Sequence, residues 1–162
     1  MLDPDFNIVE CAAVKTNGKK FGTDIVRISK IADTVIRLIE NSTVMADEVH
    51  VCFEGYAFSR RQGTGKLMER AELTGVIKNT LYSRGYGVYD VPQKTHKKFG
   101  SGMTKAKIDK DDIASGIFSQ WGLRFRTDDE ADAYVCALFI GKVLRDRVKL
   151  DYRCYVPAIA KI

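Results

Sequence analysis

The spacing of apolar residues along the chain switches between two periods, and the switches mark alternating strands and helices. Residues 7–14 read as a strand, followed by the turn signal Thr16-Asn17-Gly18-Lys19, in which Gly18 readily supplies positive φ. Thr23 is placed to cap a helix with Asp24 in its first turn, and Ile25, Ile28, Ile31, Ala32, Val35 and Ile39 recur at helical spacing to about Asn41. Residues 49–53 form a short apolar run of the buried-strand kind, with Glu54 at its C-terminal end and Gly55 next. Leu67, Ala71, Thr74, Ile77 and Leu81 share one face of a helix over residues 66–84, for which Gly85 is a fitting terminator. Residues 86–91 return to a strand, stopped by Pro92. Residues 109–121 are expected to be helical up to Gly122. Thr127-Asp128-Asp129-Glu130 is a capping box opening a long helix through Ala131, Ala133, Val135, Leu138, Phe139 and Val143. This order of elements predicts an α/β protein with helices packed on a sheet.

Three acids form a candidate metal site. Ligand sites in α/β sheets lie outside the carboxyl ends of the strands, where Glu54 sits. Asp129 and Asp132 are three apart at the start of a helix, so they share a face and can chelate a hard cation together. Acids in a first helical turn ordinarily do no more than complement the helix dipole. Asp132 differs because it lies within the apolar frame 131–137, and a carboxylate on a buried helix needs a partner. A Mg²⁺ ion bridging Glu54, Asp129 and Asp132 would satisfy all three.

Composition narrows the class. With 162 residues, 45% of them hydrophobic and 29% charged, the chain is the size and type of one soluble globular domain. No apolar run approaches the roughly 20 residues that span a bilayer, and the N-terminus lacks the basic and apolar regions of a signal peptide, so a cytoplasmic location is expected. Cys11, Cys52, Cys136 and Cys154 show no metal-ligand spacing, and reduced thiols are the expectation. The net charge of +5 is unevenly placed: residues 55–110 hold 12 basic and 4 acidic side chains, whereas residues 1–54 hold 6 and 9. A local excess of that size is either a solvated basic face or a surface for a polyanion.

Phe53-Glu54-Gly55-Tyr56, the helix ending at Gly85, Val91-Pro92 with Lys97-Lys98-Phe99, the Gly100-Ser101-Gly102 turn, and Asp129-Glu130-Ala131-Asp132-Ala133-Tyr134 occur in that order. Together they resemble the RuvC-type Holliday junction resolvases, the phage-encoded branch most closely, over about residues 10–145. Each motif alone is weak; the acid-ending strand with the Asp-x-x-Asp-Ala helix is fairly specific. The resemblance implies an RNase H-like nuclease domain over residues 1–145, a central mixed β-sheet flanked by α-helices, and a basic tail over 146–162. It also implies a homodimer cleaving four-way junctions and branched DNA, in recombination, repair or phage genome processing, in a bacterial or phage-infected cell.

Catalysis in that family is by two Mg²⁺ or Mn²⁺ ions roughly 3.5–4 Å apart, which activate water and stabilise the leaving oxygen. By position, Glu54, Asp129 and Asp132 would be the catalytic ligands. Lys97 and Lys98, with backbone amides around Gly100 and Gly102, would hold phosphates, helped by Lys105 and Lys107. Tyr56 and Phe58 with Arg60 and Arg61 would meet unpaired bases or an opened junction centre. The family has one more Asp, on a first, central strand, and no apolar run here corresponds to it. Asp3 is the nearest stand-in as a metal ligand, but residues 7–16 align better with a later strand, which places Asp3 and Asp5 in a hairpin turn. A lost upstream segment and abandoned catalysis are the two explanations. The competing functions are junction binding without cleavage and cleavage of RNA–DNA hybrids.

Overall fold

The computed structural model describes residues 1–5, 7–11, 24–41, 49–55 and 64–146. Helix α1 spans Asp24–Glu40, strand β1 His50–Glu54, helix α2 Thr64–Ser83, strand β2 Gly87–Val91, and helices α3, α4 and α5 span Gln93–Ser101, Lys110–Trp121 and Asp128–Asp146. The protein is therefore α/β, with five helices and a two-stranded parallel β1–β2 sheet among the described residues. None of these helices is long and apolar enough to cross a membrane.

Two compact units divide the chain, and the division cuts both strands, at Val51 and Tyr89. The first to be described holds α1 and α2. Ile28, Ala32 and Ile36 form the buried stripe of α1, four residues apart, while Ile25 at the expected start of that stripe is 64% exposed. Among the described side chains of α2 the buried ones are Ile77 and Leu81, and Ala71 is exposed; the Leu67 side chain lies outside the described ones. Arg27 pairs with Glu69 at 2.7 Å, and Arg84 pairs with Glu40, so each end of α2 is tied to α1. Gly85, at φ +85°, ends α2 in the left-handed conformation its sequence position predicted.

The second unit holds the described N-terminal residues up to Cys11, the ends of both strands and α3, α4 and α5. Its core gathers Ile108, Ile113, Ile117, Ala131, Tyr134, Val135 and Leu138, with Phe99 and Trp121 packed against it. A second cluster joins Val91, Cys136 and Phe139 to Cys52, so α5 is buried on two faces. Phe99 bridges the two clusters, edge-on to Phe139 at 5.3 Å and 5.7 Å from Trp121. Two capping boxes are formed here, the one expected at the start of α5 and a second at the start of α4. Asp109 and Asp112 close a reciprocal capping box at the start of α4, and Thr127 and Glu130 do the same for α5.

The strand expected over residues 7–14 is absent from its described part. Residues 7–11 make one antiparallel bridge, Leu2 to Ile8, and are exposed throughout, Val9 to 61%. With neither face of the run buried, nothing offsets the entropy of extending it. Asp3 and Asp5 do lie in the hairpin turn: the Asp3 carboxylate accepts from the Asp5 amide at 2.9 Å, the Asn7 amide at 2.8 Å and the Asn7 side chain at 3.0 Å. Residues 12–14 lie outside the described residues, as does the tail from residue 147 on.

Candidate active site

The two backbone periods bring the central acids together. Cys52 and Glu54 are two apart on β1 and share a face of the strand, while Asp132 and Cys136 are four apart on α5 and share a face of the helix. Cys52 packs on the cluster that contains Cys136. Glu54 then lies one step toward the C-terminal end of β1, and Asp132 one turn toward the N-terminus of α5.

Gly55 fixes the end of the strand. Its amide donates to the Val91 carbonyl at 2.8 Å, and a Cβ there would stand 3.1 Å from the same oxygen.

Between the two acids lies His96, a residue that no sequence motif marks. It is 1% exposed, in the middle of α3. Its Nε2 is 3.1 Å from the main-chain oxygen of Asp132 and 3.7 Å from Asp132 Oδ1, and its Nδ1 is 3.9 Å from Glu54 Oε1. A carbonyl oxygen can only accept, so the hydrogen of that bond is on Nε2. Nδ1 is buried without a hydrogen-bond partner. Burial pushes the Asp132 carboxyl above the ordinary carboxylate range; His96 and Lys110 oppose that rise, and the charges of Glu54 and Asp128 add to it.

His96 was hidden in the run Lys94-Thr95-His96-Lys97-Lys98, which reads as a solvated basic stretch. The signal that reveals it is helical spacing: Thr95, His96, Gly100 and Ser101 are the buried residues of α3. Gly100 is part of this packing, since a Cβ there would meet Val135 Cγ2 at 3.0 Å and Ile113 Cγ2 at 3.3 Å. That close approach lets α3 carry the imidazole to the α5 backbone. Below the acids, the Cys136 thiol is held far above the ordinary thiol range by its hydrogen bond with Cys52 and then by burial, which makes it an inert packing residue.

The remaining expected residues divide into three sets. Asp129 is exposed on the first turn of α5, beside Asp128, which pairs with Lys110. Lys110, absent from the sequence-based site, has its pKa raised by the Asp128 hydrogen bond first and then by the charges of Asp128, Asp132 and Asp129. Lys98 and Lys107 are exposed and Lys97 is partly exposed, whereas the Lys105 amine pairs with Asp112 at 2.6 Å. The Gly102 amide donates to the Lys98 carbonyl at 2.9 Å, closing α3 in a left-handed cap at φ 67°. The glycines therefore pack and terminate α3, and anion contact in this region falls to the lysine side chains. The Asp3 carboxylate is taken up by its turn. Tyr56, Phe58, Arg60 and Arg61 lie outside the described residues.

A surface groove of about 370 Å³ borders Asp128 and is lined by Phe118, Phe125, Arg126 and Thr127, with the Arg124 guanidinium 4.4 Å above the Phe118 ring. Among the described residues, no three His, Cys, Asp or Glu side chains already stand as a ligand set for a metal ion. The chain matches no protein-family model and no curated protein.

Proposed function

We propose that this chain is a divalent-metal-dependent nuclease of the RuvC type, built on an RNase H-like fold and acting as a homodimer on four-way DNA junctions and branched DNA. The observation that carries this reading is the approach of a strand-end Glu54 and a half-buried Asp132 to the same imidazole, with the charge of Glu54 adding to the rise of the Asp132 carboxyl. Carboxylates that repel one another at the edge of a core are a donor set suited to a hard cation. Glu54 and Asp132 would hold the ion, with Asp129 joining from the first turn of α5. When bound, it supplies an activated water and charge stabilisation at the scissile phosphate.

The chain's own residues do the rest. Gly55 holds Glu54 at the strand end, and the packed face of α5 holds Asp132. Lys97, Lys98 and Lys107 supply positive charge for the flanking phosphates, and Lys110 orients Asp128 beside the acids.

The test is cleavage of a synthetic four-way junction in Mg²⁺ or Mn²⁺. Glu54→Gln and Asp132→Asn are each expected to slow cleavage by at least about 10²-fold, the loss that follows removal of one preorganised stabilising group, with junction binding retained. Cleavage unchanged by either substitution overturns the site. Binding without cleavage in any metal overturns the enzymatic reading and leaves a junction-binding protein. Preferential cutting of an RNA–DNA hybrid reassigns the substrate.

A further inference from the structure

We propose that His96 is a metal ligand: its Nδ1 and the Glu54 carboxylate form a nitrogen-containing seat for a first-row divalent ion such as Mn²⁺, biasing the centre toward that ion over Mg²⁺. This deepens the nuclease reading and rests on it only for the use made of the ion. The Nε2 hydrogen is committed to the Asp132 carbonyl, which in the neutral imidazole leaves the lone pair on Nδ1. That atom has no hydrogen-bond partner in a residue 1% exposed, a costly state for a buried acceptor.

The nearby Glu54 Oε1, at 3.9 Å, is too far for a hydrogen bond. The separation is instead one that two ligands of a single ion can take, because metal–nitrogen and metal–oxygen bonds of about 2.0–2.2 Å reach across it. A ring nitrogen bonded to a backbone carbonyl also fixes the tautomer and orientation of the imidazole, as the outer shell of metal-binding histidines does. Mg²⁺ takes oxygen donors almost exclusively, whereas imidazole suits Zn, Cu, Fe and Ni, and Mn²⁺, though it favours oxygen, accepts a ring nitrogen more readily than Mg²⁺ does. The seat has two protein donors, Asp132 facing the other ring nitrogen, so the remaining positions would go to water or substrate phosphate oxygens.

The experiment uses the full chain with Mn²⁺ or Mg²⁺ alone and no DNA. Of the two histidines in the sequence, His50→Gln leaves only His96, so any histidine nitrogen at the ion is then assigned. Pulsed EPR of Mn²⁺ bound to this variant is expected to show a coupled nitrogen that changes its pattern when the protein carries ¹⁵N-histidine. In competition titrations Mn²⁺ is expected to outbind Mg²⁺, with that preference falling at least roughly tenfold in His96→Gln.

Mn²⁺ that is weakened by Glu54→Gln but shows no histidine nitrogen coupling overturns the proposal, as does the absence of any bound Mn²⁺. Should His96→Gln fail to fold, the isotope measurement on the His50→Gln chain still decides. A chain that shows the nitrogen coupling yet cuts no junction overturns the nuclease reading and leaves this seat standing. A chain that cuts in Mg²⁺ and shows no coupling overturns the seat alone.

Discussion

Gly116 and Gly75 both lie inside helices, and their surroundings give them opposite roles. A Cβ on Gly116 would stand 2.4 Å from Ser101 Cα and 2.5 Å from the Ser101 carbonyl, so α4 and α3 touch backbone to backbone there. Gly116→Ala must push the helices apart and is expected to cost about 1–3 kcal/mol, as overpacking does. Gly75 has nothing within 4 Å of its Cβ direction, and Gly75→Ala should gain about 0.4–1 kcal/mol by restricting the unfolded chain. Urea melts of the two variants check both signs.

Asp132 gives a pH-dependent counterpart at the same scale. Its folded pKa is raised, first by burial, above the ordinary 3.8. Between that value and the raised one the native state binds more protons than the unfolded state, so stability falls as pH rises through this window. The penalty is complete above the window and absent below it. Asp132→Asn, compared with the parent chain in chelator, is therefore expected to melt higher at pH 7, with the difference closing as pH falls below about 3.8. A variant that melts lower at pH 7 would show that Asp132 is compensated in the metal-free protein.

At the scale of elements, the start of α5 matters most because it carries Asp128, Asp129 and Asp132 within five residues. Thr127 Oγ1 accepts from the Glu130 amide at 3.2 Å, and the Glu130 carboxylate accepts from the amides of Thr127 and Arg126 at 3.2 and 3.0 Å. Thr127→Ala removes one side of this box and is expected to cost about 0.5–2 kcal/mol. The same substitution should loosen Asp128 and Asp129, so cleavage at limiting Mg²⁺ falls more than cleavage at saturating Mg²⁺. A cap without bearing on the site would lower the melting temperature and leave the metal dependence unchanged.

This box was legible in the sequence because a cap is written within four residues. The same locality made Gly85 and Gly122 readable as helix ends. Glu54 and Asp132 were legible for a second local reason, an acid set into an apolar frame. An apolar run such as that of residues 7–11 does not by itself make a strand, because a strand exists only where another segment pairs with it and buries one of its faces. His96 was obscured by its lysine neighbours: five polar residues in a row look solvated until helical spacing sorts them onto two sides.

At the scale of the whole molecule the decisive quantity is where the positive charge remains available. The 12 basic residues within 55–110 suggested a polyanion surface, yet side-chain pairing divides them. Lys105 and Lys110 hold Asp112 and Asp128, so binding a phosphate through either means first surrendering an ion pair. Lys97 and Lys98 stand on α3, in the turn that follows His96, where a phosphate could lie alongside the acids. Each lysine that neutralises a phosphate contributes about −0.9 to the slope of log K against log salt on duplex DNA. Lys97→Ala and Lys98→Ala are accordingly expected to flatten the salt dependence of junction binding by about 0.9 each, and by about twice that together. Lys105→Ala should leave the slope nearly unchanged, because its amine is already neutralised by Asp112. Titrations of a labelled four-way junction at several KCl concentrations, with chelator present to prevent cleavage, read all of these slopes. Equal flattening by Lys105→Ala would mean that the Asp112 pair opens when DNA binds, and that the charge of this segment acts as one surface.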